Sequence, residues 1–266
     1  MTSKILFVAC ALSATVGAAQ FTLISVEDEI SLGKQAQGQV RKEVPDLADA
    51  EVKSYVAGIG KRLAARAAGP KYPYSFSVAN YREINAFALP GGPVWVHRGT
   101  IAAAANEAQL AAVLAHEIAH ISQRHAANQI SKSLVANGLI GLLGAMLGND
   151  RGAQTAQLGA RSLAGGYMLK FSREDEREAD TVGAQLMHRA GWDAREMIAF
   201  METLRREQGW DPAAIELFLS SHPAPGERAQ RLKGTLTGGG TKDSARFRAV
   251  KARLKKLPPA RRSVVR

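Results

Sequence analysis

The sequence predicts an α+β protein, mainly α, with helices gathered around one small β-sheet. Three observations carry that prediction. Apolar residues recur at helical spacing over most of the chain, and strand-like alternation is confined to residues 74–97. The chain has 266 residues, 46% of them hydrophobic and 22% charged, which is a globular balance. A chain of that length can bury a sizeable core without crosslinks. Its one cysteine, Cys10, lies in a segment expected to be removed, so neither a disulfide framework nor a cysteine nucleophile is expected.

Residues 1–19 read as a secretory signal peptide. Met1–Lys4 is a short basic start, Ile5–Gly17 is apolar and small, and Gly17-Ala18-Ala19 offers a cleavage site before Gln20. The alternative, lipidation at Cys10, would leave only Ile5–Ala9 as the apolar stretch. Export to the periplasm or cell envelope is therefore expected. Residues 20–240 are expected to form one folded domain and 241–266 a basic C-terminal tail.

Within the domain, residues 26–43 have helical spacing. Asp46 to Ala68 give a second helix with Val52, Val56, Ile59 and Leu63 inward, ended by Gly69-Pro70. Residues 74–81 alternate as a strand, and 86–89 and 93–97 are strands flanking the turn Pro90-Gly91-Gly92-Pro93. Residues 101–129 read as one long Ala-rich helix. The stretch 134–147 is apolar, broken by glycines and too short to span a bilayer, and fits a lid, a core helix or a surface resting on a membrane. Ser172 to Arg189 form a helix with Ser172 and Asp175 as a capping box. Further helices are expected at 194–208, 212–220 and 225–233, before the flexible break Gly238-Gly239-Gly240.

Net charge is +11, but Thr241–Arg266 alone holds ten Lys/Arg and one acid, Asp243. The body is thus nearly neutral, which argues against a nucleic-acid-binding domain. A solvated, partly helical tail is expected, with peripheral membrane contact as the alternative.

The chemistry concentrates at His116-Glu117-Ile118-Ala119-His120. Residues four apart share a helix face, so both imidazoles can reach one ion, and neutral imidazole is a good zinc ligand. Leu110, Leu114, Ile118 and Ile121 form a stripe that would anchor one side of the helix and offer the other to a cleft. A catalytic zinc needs a third protein ligand and an open position. The pattern with a third histidine ten residues after the first fails, because Ala126 stands there. On a continuous helix His125 points about 180° from His116 and into the Leu/Ile stripe, and reads as a packed or hydrogen-bonded histidine. The acidic run Glu174–Asp180 is the remaining source. Against an inward stripe of Ala179, Val182, Gly183, Leu186 and Met187, Glu176 is the most inward acid, which selects it as the third ligand. Asp180, one turn on, is placed to orient a ligating histidine. Glu174 and Glu178 are explained by the helix macrodipole.

His116-Glu117-x-x-His120, Ser172-Arg173-x-x-Glu176-x-Glu178-Ala179-Asp180 and His222-Pro223 with Arg228 together resemble the HtpX-like and CAAX-prenyl-protease-like zinc metalloendopeptidases. Asn85-Ala86-Phe87-Ala88-Leu89-Pro90-Gly91-Gly92 resembles the strand before their catalytic helix. The resemblance covers about residues 25–235. It is nearer the soluble, periplasmic BepA-like branch, without the membrane spans of HtpX or the C-terminal helical repeats of some relatives.

The resemblance implies a zincin-type, gluzincin domain with one zinc on His116, His120 and Glu176, Glu117 as the general base, and polypeptide substrates. It also implies catalytic roles for His222 and Arg228 in stabilising the oxyanion. From the residues alone, His222-Pro223 is a turn and Arg228 a surface residue paired with Glu227. His222 as a resting-state zinc ligand is a further possibility. The implied function is proteolysis of misfolded or surplus envelope proteins. The alternatives are a chaperone-like or scaffolding protein that keeps the metal, or a purely structural zinc with four closed ligands.

Overall fold

The computed structural model describes residues 22–136 and 170–263. The leader expected at 1–19 and residues 137–147 of the apolar stretch lie outside them. The described chain runs α1 (Val26–Glu43), α2 (Ala50–Ala64), β1 (Ser75–Ala79), β2 (Ala86–Ala88), β3 (Pro93–His97), α3 (Arg98–Ala103), α4 (Glu107–Ser122), α5 (His125–Ala136), α6 (Arg173–Arg189), α7 (Glu196–Trp210), α8 (Pro212–Ser221), α9 (Pro225–Lys233) and α10 (Ala245–Lys256). The expected α+β class holds, with helices around a three-stranded mixed sheet. No helix among the described residues is long and apolar enough to cross a membrane.

The helix starts follow from local chemistry. Ser25 caps α1 and Ser172 caps α6, each in a reciprocal capping box with the acid three residues on, Asp28 and Asp175. The Asp49 side chain caps α2 by accepting from the Val52 N–H. The expected inward face of α2, Val52, Val56, Ile59 and Leu63, is buried.

In the sheet β3 is central, parallel to β1 and antiparallel to β2, with Phe87 opposite Trp95. Gly91 and Gly92 take φ of 73° and 128° in the β2–β3 turn, a left-handed backbone that side chains resist. That tight turn leaves β2 on an edge of the sheet, beside α4.

Three expectations need correction. The single helix expected over 101–129 is three. Asn106 restarts the chain by capping α4, its Oδ1 accepting from the Gln109 N–H at 3.0 Å. Arg124, at φ 59°, then breaks the path between α4 and α5. Second, the face of α4 opposite its stripe borders a cavity at Ala112, Val113, His116 and Glu117, as expected, but it is otherwise packed rather than open, because all residues of the helix are buried. It is packed between α2, α6, α7 and the sheet, so its one-sided stripe marks only part of its contact surface. Third, α10 within the basic tail is no solvated appendage. Its Phe247, Val250 and Leu254 join the main core, Arg253 Nε meets Asp49 Oδ2 at 2.7 Å, and Arg98 donates to the carbonyls of Leu254 and Pro258, both at 2.6 Å. Apolar residues three and four apart outweigh the charge between them.

Glu107, at the start of α4, ties this core together. It accepts hydrogen bonds from Tyr55 Oη (2.6 Å) on α2, from Trp192 Nε1 (2.8 Å) after α6, and from the α10 cap Ser244. Burial alone would raise its pKa, but these donors hold it below the ordinary carboxylate value. Glu107→Ala is expected to cost about 2–4 kcal/mol at neutral pH, because it leaves buried donors unmet. Since the folded pKa is the lower one, that contribution is complete above the unfolded value of about 4.3 and fades as pH falls through the folded one. Urea titrations of wild type and variant at pH 7 and pH 4 measure it, and their gap should narrow at the lower pH.

Candidate metal centre

Three elements converge beside the middle of α4. His116 and His120, one turn apart, point the same way and meet α6 where it crosses closest. At the crossing, a Cβ on Gly183 would lie 3.2 Å from both the Ala115 carbonyl carbon and the His116 nitrogen. This approach brings Glu176, 1% exposed, and Asp180, fully buried, against the imidazoles. The third element is the α8–α9 corner. Pro223 keeps His222 out of the helical region, at φ -124° and ψ 80°, and Ala224 turns at φ 57°. Pro225 opens α9 and delivers Arg228 one turn in.

The ligating atoms share one small volume: those of His116, His120, Glu176 and His222 all lie within 4.8 Å of one another. His116 Nε2 is 3.0 Å from His120 Nε2 and 3.3 Å from His222 Nδ1. Glu176 Oε1 is 3.3 Å from His120 Nε2 and 2.9 Å from His222 Nδ1. Four tetrahedral ligands with bonds of about 2.0–2.1 Å sit about 3.3 Å apart, so these separations are close to what a single ion requires.

Around them lies a second layer. Asp180 Oδ1 is 3.2 Å from His116 Nδ1, the nitrogen facing away from the common point. Arg228 grips Asp180 through two hydrogen bonds, Nε to Oδ2 at 3.0 Å and Nη2 to Oδ1 at 2.6 Å, and its Nη1 lies against Glu176 Oε2. Glu117 is 1% exposed, and neither carboxylate oxygen has a hydrogen-bond partner among the described residues. Its near neighbour is His222 Nε2, 3.5 Å from Oε1. An apolar cavity lined by Val113, Met197, Phe200 and Leu204 borders His116 and Glu117.

Burial raises the Glu117 pKa and pushes His120 well below its usual value. His116 goes the other way: burial pulls it down, but the Glu176 charge prevails and lifts it to about 9. Burial would raise Glu176 and Asp180, yet the surrounding cations hold Glu176 well down and Asp180 at about 2. Carboxylates outnumber fixed cations here, so the cluster favours a cation at its centre, and a proton on His116 competes with a metal for the same nitrogen.

Most of the residues singled out in the sequence thus come together. Arg228 is not the surface partner of Glu227, which pairs with Arg173 at 3.2 Å; it is buried, 7% exposed. His125 does not enter the Leu/Ile stripe, because the break at Arg124 turns it back over His120. Its Nδ1 lies 2.8 Å from His120 Nδ1 and its Nε2 3.2 Å from Glu178 Oε2. Phe171 stacks on His120 at 3.9 Å between centroids. Glu178 and Phe171 carried no sequence signal for these contacts. The first read as a macrodipole acid, and the second lies just ahead of the α6 cap, outside any periodic segment.

Comparison with known proteins follows the same line. The profile of peptidase family M48 matches residues 50–236. The beta-barrel assembly-enhancing protease of Escherichia coli K12 is 32% identical over 218 residues, 80% of this chain and 45% of that protein. The mitochondrial metalloendopeptidase OMA1 of Schizosaccharomyces pombe is 30% identical over 217 residues, 80% of this chain and 63% of that one. The metalloprotease YcaL of E. coli is 28% identical over 194 residues, 71% and 74% respectively. The chain spans about half the length of the first of these relatives.

The crossing at Gly183 sets how near α6 comes to α4. Gly183→Val is expected to cost about 1–3 kcal/mol by overpacking and to weaken divalent-metal binding as Glu176 retreats from the imidazoles. Thermal melts and a metal-competition titration read the two effects.

Proposed function

The chain belongs to peptidase family M48, and from that membership and the cluster geometry we propose that it is a zinc-dependent endopeptidase of the cell envelope. The observation that carries the proposal is the close spacing of His116 Nε2, His120 Nε2 and the Glu176 carboxylate, with the Glu117 carboxylate beside them and without a hydrogen bond among the described residues. Two imidazoles and a carboxylate are a donor set that zinc takes in hydrolytic sites.

When bound, zinc lowers the pKa of water and polarises a peptide carbonyl. The protein's own groups do the rest. Glu117, its pKa raised by burial, accepts the proton of the attacking water and hands it to the leaving amine. Asp180 holds the proton on His116 Nδ1, so that Nε2 stays free as a ligand. Arg228 clamps Asp180 and Glu176, and its buried positive charge faces the reaction centre. β2, at one edge of the sheet, suits an extended peptide, since backbone pairing accepts varied sequences.

His222 supports a latent resting state. Its Nδ1, 3.3 Å from His116 Nε2 and 2.9 Å from Glu176 Oε1, would be near enough to serve as a further ligand to a metal held there, and with the imidazole withdrawn its ring would remain near enough to donate to the developing oxyanion. The envelope setting rests on the leader-like residues 1–19 and on the relative named a beta-barrel assembly-enhancing protease. Misfolded or surplus envelope proteins are the proposed substrates. Outward cations of α10, among them Lys255 and Lys256, suit a passing contact with anionic lipid.

Glu117→Gln is expected to abolish casein cleavage while zinc content stays at one ion per chain; wild-type activity should vanish with a chelator and return with zinc. Unchanged turnover in Glu117→Gln would remove the mechanism. A cellular role that survives that change would instead favour the chaperone-like alternative. His222→Ala should keep zinc on three ligands and raise basal cleavage. A fall of about 10²- to 10³-fold would assign His222 wholly to the oxyanion, and an inert, zinc-loaded variant would indicate a structural site.

A further inference from the structure

Asp180 orients His116, but among the described residues no carboxylate touches the outward nitrogen of His120. That nitrogen, Nδ1, meets His125 Nδ1 at 2.8 Å, and His125 Nε2 meets Glu178 Oε2 at 3.2 Å. One proton arrangement satisfies all three groups. With His120 Nε2 turned to the common point, its Nδ1 must carry the proton and donate it. His125 Nδ1 must then accept, which leaves the His125 proton on Nε2, where Glu178 receives it.

We propose that His125 and Glu178 are positioning residues for the metal centre, a relay that fixes the tautomer and ring plane of His120. The proposal rests on the zinc reading above and assigns it a second layer on the His120 side.

The local fold is built for this contact. On an uninterrupted helix a residue five places after His120 would lie about 140° round the axis and could not reach it. The left-handed turn at Arg124 makes the contact possible, at an expected cost of about 1–2 kcal/mol for a residue other than glycine. That turn is held from outside: Arg124 Nε donates to Glu29 Oε1 at 2.7 Å, and its Nη2 donates to the Ile24 carbonyl. His125 is fully buried, and Phe171 stacks on the His120 ring with planes 19° apart. The ring is thus restrained across its plane by Phe171 and within its plane by His125. Glu178, 38% exposed, ends the relay at the surface.

The test uses the full chain and zinc itself, titrated against a chromophoric chelator. His125→Phe keeps a ring in the space but removes the acceptor, whereas His125→Asn offers an amide oxygen near the Nδ1 position. His125→Phe should weaken zinc binding about 10- to 100-fold, the usual consequence of losing a partner behind a ligating histidine. His125→Asn should recover most of that loss. With cobalt in place of zinc, the visible spectrum should change in His125→Phe and return towards wild type in His125→Asn. Should His125→Phe not fold, Glu178→Ala probes the same relay from its outer end, with an expected loss of about 2- to 10-fold given its partial exposure.

Wild-type zinc affinity and an unchanged cobalt spectrum in His125→Phe would overturn the relay alone. Equal losses in Phe and Asn variants would overturn it too, by making His125 a packing residue. A wild-type chain that takes up no zinc would overturn the zinc reading and the relay with it.

Discussion

The structure is organised by three carboxylates that water cannot reach. Glu117, Glu176 and Asp180 are each no more than 1% exposed, and one buried guanidinium, Arg228, faces them. A buried ion costs several kcal/mol unless partners surround it. The partners here come from separate parts of the chain: imidazoles from α4, the guanidinium from α9, and His222 from the corner before it. The charge surplus that remains lifts His116 and suits a divalent cation. A cluster of this kind destabilises the domain unless packing offsets it, and α4, buried on every side, is the element that supplies such packing.

What could be read from the sequence was whatever one helix decides alone. The His116–His120 pair follows from a spacing of four, and the inward set of Glu176 and Asp180 follows from the apolar stripe of α6. The start of α6 was marked by Ser172 and Asp175. What escaped depends on partners far along the chain. An Ala-rich run has high helix propensity everywhere, so the break at Arg124 becomes visible only with Glu29 and Ile24 in place to hold it. The burial of Arg228 was equally hidden, because arginine is exposed by default and only the Asp180 and Glu176 carboxylates draw it in. The packing of α10 was legible in Phe247, Val250 and Leu254, but the surrounding charge obscured it.

The two histidines of α4 are supported unequally. His116 leans on Asp180, which is locked to α9 by Arg228, so its environment is charged and closed. His120 leans on His125, whose chain of hydrogen bonds leaves the core at the half-exposed Glu178. A carboxylate behind a histidine increases its basicity, while a neutral imidazole fixes its direction with less effect on charge. A second buried carboxylate there would have deepened a negative surplus already answered by few cations.

The same economy of charge limits how the centre can open. His222 and Arg228 sit six residues apart on one corner, the first at the fourth ligand position and the second on Asp180. If the corner swung out as a rigid body to release His222, Arg228 would leave with it, and Asp180 and Glu176 would lose their main counter-charge while still buried. That motion is the expensive one. Opening must therefore be confined to residues 222–224, ahead of the first turn of α9. There the backbone is already irregular, with Pro223 fixing one bond and Ala224 left-handed at φ 57°. On the latent-state reading, a side-chain rotation of His222 about this stiff junction would open the metal site and leave the Arg228 clamp intact.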